Sequence, residues 1–170
     1  MIIIGIDTGK KTGFAVNKDG NIIFLKTFGI IAAMVQVLEY RSQFATDFVI
    51  CIEDARKRTW FGNDEKKIRD KLKGAGSVSR DASIWQEFCE YHDLPYILVP
   101  PSHLSGLTKM GEDDFKNLTN WDGGRCSEHA RDAGVMTHKY HKLFSKGLMP
   151  MPAKPSEIKE KLGNKNVKKA

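Results

Sequence analysis

The stretch IIIGIDTGKKTGFAV, residues 2–16, opens on an almost continuous aliphatic run, Ile2 to Ile6, and ends that run on an acid, Asp7. A run without polar alternation reads as a strand buried on both faces, the situation of a sheet covered by helices on each side. Gly9 to Gly13 supply a turn, and Phe14 to Val16 begins a second strand that breaks at Asn17-Lys18-Asp19-Gly20. The Asp-Gly pair is a hairpin signal, and Asn21 to Thr27 gives the third strand. The chain therefore opens as an antiparallel three-strand meander.

Farther along, Ile31, Met34, Val35 and Leu38 recur at helical spacing between Ile30 and Phe44, which predicts a helix packed on the sheet by that face. Asp47 to Ile52 (DFVICI) is a second fully apolar strand, and it too runs straight into acids, Glu53 and Asp54. After a basic segment and a flexible Gly74-Ala75-Gly76, a helix is expected with Ala82, Trp85, Phe88 and Cys89 inward, followed by a fifth strand, Tyr96 to Val99. Residues 103–123 read as mixed helix and loop, and Arg125 to Phe144 as the last helix of the body. The order implies an α/β fold of three layers with a five-stranded mixed sheet flanked by helices. Residues 1–147 read as one domain and residues 148–170, with prolines at 150, 152 and 155, as a basic, flexible tail.

Charge narrows the partners. The formal net charge is +6 over 170 residues, but from Lys146 onward seven lysines face two glutamates, a net +5. Within the body, Arg56 to Lys73 holds eight basic residues against Asp64, Glu65 and Asp70, another +5. Two basic arms beside an otherwise acidic body suggest a polyanion contacted by particular segments. No run of about 18 apolar residues is present, and the first acid comes too early for a signal-peptide core, so no membrane partner is expected. Three scattered cysteines, Cys51, Cys89 and Cys126, argue for a reducing, cytoplasmic compartment.

Two buried strands that each deliver an acid are unusual, because Asp and Glu are rarely buried without a partner. If the strands ending in Asp7 and Glu53 are adjacent and parallel, their carboxylates lie side by side at the carboxyl edge of the sheet and repel unless a cation sits between them. Hard oxygen ligands suit Mg2+ or Mn2+. In the last helix His129 and Asp132 are three apart and share a face with Ala133, Met136 and Tyr140, while Glu128 can join from the flank. Asp7, Glu53, Glu128, His129 and Asp132 thus make a ligand set for two ions about 3.5–4 Å apart, the arrangement used for phosphodiester hydrolysis. Cys126-x-x-His129 and His138-x-x-His141 have a zinc-like spacing, but one continuous helix cannot fold such residues into a closed tetrahedron.

Taken together, IIIGIDTGKKTGFAV, the strand VICIE, the LPYILV segment and the EHARDAG helix resemble the RuvC family of Holliday junction resolvases, within the ribonuclease H-like superfamily, over residues 2–144. The resemblance implies a ribonuclease H-like nuclease domain and a metal-dependent endonuclease that resolves four-way junctions and related branched DNA as a homodimer. It places Asp7, Glu53, His129 and Asp132 on the family's metal-binding acids and their partner. It also implies a lysine that steadies transition-state charge, for which Lys109 and Lys116 are both candidates. The DNA-binding candidates are Lys10 and Lys11 beside Asp7, and Arg56, Lys57, Arg58, Trp60, Phe61, Lys66 and Lys67, where cations interleave with rings able to stack on unpaired bases. Two alternatives remain: a YqgF-like nuclease acting on structured RNA, with the same acids, and a branched-DNA-binding protein that does not cut.

Overall fold

The computed structural model describes residues 1–44, 48–57 and 65–167; the side chains of 65–75, 77, 78 and 163–167 lie outside that description. Five strands, β1 (Ile2–Asp7), β2 (Thr12–Lys18), β3 (Asn21–Phe28), β4 (Phe48–Glu53) and β5 (Tyr96–Val99), form one sheet in the order β3-β2-β1-β4-β5. The β1–β2 and β2–β3 pairs are antiparallel, and the β1–β4 and β4–β5 pairs are parallel. This is the α/β architecture with a mixed five-stranded sheet that the alternation of strands and helices predicts.

Side-chain alternation along the strands divides the core into two layers. Ile2, Ile4, Ile6, Ile50 and Ile52 point to one face, where α1 (Ile30–Gln43) and α2 (Glu65–Tyr91) bring Ala33, Val37, Trp85 and Cys89. Ile3, Val49, Cys51 and Val99 point to the other, where α4 (Glu128–Ser145) brings Met136, Tyr140 and Phe144. Burial of each such aliphatic chain is worth about 1.5–3 kcal/mol, so both faces of β1 are anchored. The short helix α3 (Glu112–Thr119) adds a third cluster, in which Phe115 packs with Ile22 and Val135. No helix among the described residues is long and apolar enough to cross a membrane.

The helices differ from the expectation in two ways. On α1, Ile31 and Val35 are 71% and 49% exposed; the inward face is Ile30, Ala33, Met34 and Val37. The winning force is an aromatic cluster, in which Tyr40 of α1 packs on Phe14 and Phe24 of the sheet, rotating the helix away from the stripe that spacing alone selects. Helix α2 runs unbroken through Gly74-Ala75-Gly76, where a flexible break is expected. A glycine inside a helix costs only about 1 kcal/mol, which the packing of Trp85 and Cys89 at the C-terminal end offsets.

The segment after Gly147 contains a helix, α5 (Pro155–Val167). Asp93, in the turn between α2 and β5, accepts hydrogen bonds from the backbone N–H of Ser156 at 2.8 Å and from its hydroxyl at 2.9 Å. These bonds and a cationic neighbourhood hold the Asp93 carboxyl below its ordinary value.

Candidate active site

Strand register brings the first two acids together. The β1–β4 ladder runs from Ile2 opposite Phe48 to Ile6 opposite Ile52, and the same offset sets Asp7 against Glu53 at the carboxyl edge. Period-two alternation then points both carboxylates to the face that α4 covers. Thr8, 7% exposed, extends the junction, its hydroxyl donating to the carbonyl of Glu53 at 3.1 Å.

Helix α4 supplies the rest. Ser127 caps it, accepting from the N–H of Ala130 at 3.2 Å. Asp132, Ala133, Met136 and Tyr140 form its buried stripe, with Asp132 9% exposed. One turn earlier, His129 reaches over the sheet edge and places Nδ1 2.8 Å from Oδ2 of Asp7. This approach depends on two glycines. A Cβ on Gly13 would collide with the carbonyl of His129 and stand 3.0 Å from the Cβ of Asp7; a Cβ on Gly5 would collide with the carbonyl of Ala133 and stand 2.7 Å from Cγ2 of Thr137. A glycine inside a strand signals such close backbone approach, but its neighbour cannot be read from the strand itself.

The electrostatics are those of crowded anions. Burial first, then hydrogen bonding to Glu53 and the charges of Glu53, Asp132 and Glu128, push the Asp7 carboxyl up to about 9. Burial also raises Asp132, with Glu128 and Glu53 adding to it and the backbone N–H of Lys109 and His129 acting the other way. Among the described residues no group of three His, Cys, Asp or Glu side chains forms a ready-made metal cage. His129 occupies one oxygen of Asp7, and the N–H of Lys109 occupies Oδ1 of Asp132 at 2.8 Å. The donor chemistry still fits a hard divalent cation, because carboxylate oxygens dominate the set and the repulsion that adds to burial in raising Asp7 is what a cation relieves.

The two candidate lysines are placed differently. Lys109 has a left-handed backbone, φ 60°, and the loop around it is tied to the acids through Asp132. The ammonium of Lys116, on α3, lies 2.8 Å from Oε1 of Glu112. Arg131, on α4, braces the approach to this loop, its Nε donating to the carbonyl of Met110 at 3.1 Å and its Nη1 to that of Cys126 at 2.6 Å.

Of the DNA-binding candidates, Lys10 and Lys11 are exposed in the turn that follows Asp7 and Thr8. Arg56 is held by Asp54, which sequence reasoning passed over: its Nε and Nη2 donate to the two Asp54 oxygens at 2.6 and 3.2 Å, and Nη2 also donates to Gln86 at 2.8 Å. Asp54 is 1% exposed. Lys57 donates to the carbonyl of Leu98 at 3.2 Å. Arg58, Trp60 and Phe61 lie outside the described residues, as do the side chains of Lys66 and Lys67.

No family model matches the chain, and no curated protein matches its sequence. Among solved structures, it is similar to T. thermophilus RuvC in complex with Holliday junction substrate, with a TM-score of 0.57 and 13% sequence identity over 89% of this chain and 99% of that one. At that identity the likeness is one of fold, and it agrees with the ribonuclease H-like, RuvC-like arrangement implied by the motifs.

Proposed function

We propose that this chain is a divalent-metal-dependent endonuclease that cuts branched DNA, with four-way junctions as its preferred substrate. The carrying observation is the convergence of Asp7, Glu53 and Asp132, flanked by Glu128 and His129, at one edge of the sheet, where burial first and then the neighbouring acids raise Asp7 to about 9. A protein that only binds DNA gains nothing from anions turned toward phosphate. In this reading Asp7, Glu53 and Asp132 hold Mg2+ or Mn2+, with His129 and Glu128 at the flank. Such ions supply a more acidic attacking water and a countercharge for the leaving oxygen.

The protein's own groups do the remainder. His129, with Nδ1 on Oδ2 of Asp7, orients that carboxylate and is placed to exchange a proton at the edge of the site. Lys10 and Lys11 attract the phosphate backbone next to the acids. Lys109 is the preferred candidate for steadying transition-state charge, because its loop is fastened to Asp132 whereas Lys116 is engaged by Glu112. A homodimer would present two such centres to the two strands of a junction.

The test is one matrix: labelled four-way junction, fork, duplex and structured RNA, each with Mg2+, Mn2+ or EDTA. Junction cutting that requires a divalent ion is expected. Preferential cutting of structured RNA would assign the same acids to the RNA-processing alternative, and junction binding without cutting in any metal would leave only the architectural role.

A further inference from the structure

We infer that the groove between α3 and the C-terminal half of α4 is a docking site for an acidic segment of a partner protein that carries one or two apolar anchor side chains. The groove encloses a cavity of about 290 Å³ and is floored by Leu107, Leu118, Val135, Leu143 and Leu148. His138, Lys139, Lys142 and Lys146 complete its wall. On α4 and its C-cap, Lys146, these residues recur three and four apart, so Val135, His138, Lys139, Lys142 and Lys146 make a stripe beside the one that packs on the sheet.

Two observations select the occupant. The floor is aliphatic and open to water, with Leu148 70% exposed, so an apolar anchor gains by entering. The rim is cationic: Lys139 donates to the carbonyl of His103, and among the described residues neither Lys142 nor Lys146 takes part in an ion pair. Burial and the nearby Lys142 and His141 hold the His138 imidazole below its ordinary value, so the lysines carry the positive charge of the rim.

The volume is at the small end of the range for enclosed ligand pockets, about 300–1,000 Å³. That size suits anchors from a segment lying across the surface better than a swallowed cofactor. A DNA duplex answers the lysines but brings nothing aliphatic for the floor, and the lining has no Phe, Tyr or Trp on which an unpaired base could stack. The groove lies outside the acidic centre, yet Leu107 is two residues from Lys109, whose N–H is held by Asp132. An occupant therefore rests against the loop that borders that centre.

The experiment measures fluorescence anisotropy of a labelled peptide of four aspartates followed by Leu-Phe, titrated with the full chain. Two control peptides replace Leu-Phe by Ser-Ser, or the aspartates by asparagines. Expected is binding at least tenfold tighter than either control, a loss of tenfold or more in the Lys142→Glu/Lys146→Glu protein, and no displacement by duplex DNA. Both lysines are exposed; if the double variant melts early, Lys142→Gln/Lys146→Gln serves in its place. Equal binding of the Ser-Ser peptide would reduce the groove to a charged surface and overturn the proposal. Displacement by duplex would reassign the rim to nucleic acid, and absence of binding by the Leu-Phe peptide would equally overturn it.

Discussion

Asp7 pays for its position in stability. An acid with a folded pKa of about 9 and an unfolded value of about 3.9 keeps its proton in the fold over a pH range where the unfolded chain has released it. The folded state then binds more protons, so stability falls as pH rises between about 4 and 9. Asp7→Asn removes that burden. In EDTA, the melting temperature of the variant relative to wild type should rise from pH 5 to pH 8.5, by about 10 °C or more in all, given about 1.36 kcal/mol per pH unit and about 2–4 °C per kcal/mol. Adding Mg2+ at pH 8.5 should stabilise wild type and leave the variant unmoved, while junction cutting by the variant drops to background and junction binding persists. A difference in melting temperature that stays flat with pH would remove Asp7 from the charge cluster. At this scale the acids were legible, because a buried strand ending in a carboxylate is rare. The capture of Arg56 by Asp54 was not, since Asp54 stands next to Glu53 with nothing in the local sequence to set the two acids apart, and only burial distinguishes Asp54.

Among the elements, α4 makes the site and the sheet glycines seat it. Gly13→Ala should force the carbonyl of His129 upward, because the obstacle is backbone and has no rotamer to yield. Overpacking of this kind costs about 1–3 kcal/mol, and cutting per folded molecule should fall further still, since the same displacement carries His129 off Asp7. Gly29→Ala is the control: nothing lies within 4 Å of a Cβ there, and it should be close to neutral in urea unfolding and in activity. If both substitutions behave alike, α4 does not depend on the glycine for its seat. The inward stripe of α4 could be read from Asp132, Ala133, Met136 and Tyr140 because a single sheet face receives it. The stripe of α1 could not, because the aromatic cluster around Phe14 comes from two strands and the helix together, and no local spacing encodes that meeting.

For the whole molecule, the basic C-terminal segment expected from the charge count contains α5. Deleting residues 150–170 should weaken duplex and junction binding about equally and lower the salt slope by roughly 0.9 for each phosphate that the shortened chain no longer neutralises. A deletion that erased junction preference would instead make α5 a reader of branch shape. The sheet itself was legible almost strand for strand, since each strand is an apolar run closed by a turn or an acid; the strand order required only that β1 and β4 be joined through a helix. That order has a kinetic consequence. As the middle of five strands, β1 has hydrogen-bonded neighbours on both sides and a packed layer over each face, whereas β3 and β5 each pair with one strand among the described residues. In deuterated water the amides of Ile3 to Ile6 should be the last to exchange, through global unfolding alone, while those of the Lys109 loop exchange within small local openings. The chemistry would then rest on a centre that is frozen on one side and breathes on the other, and the breathing side is where a long polyanion can enter and leave.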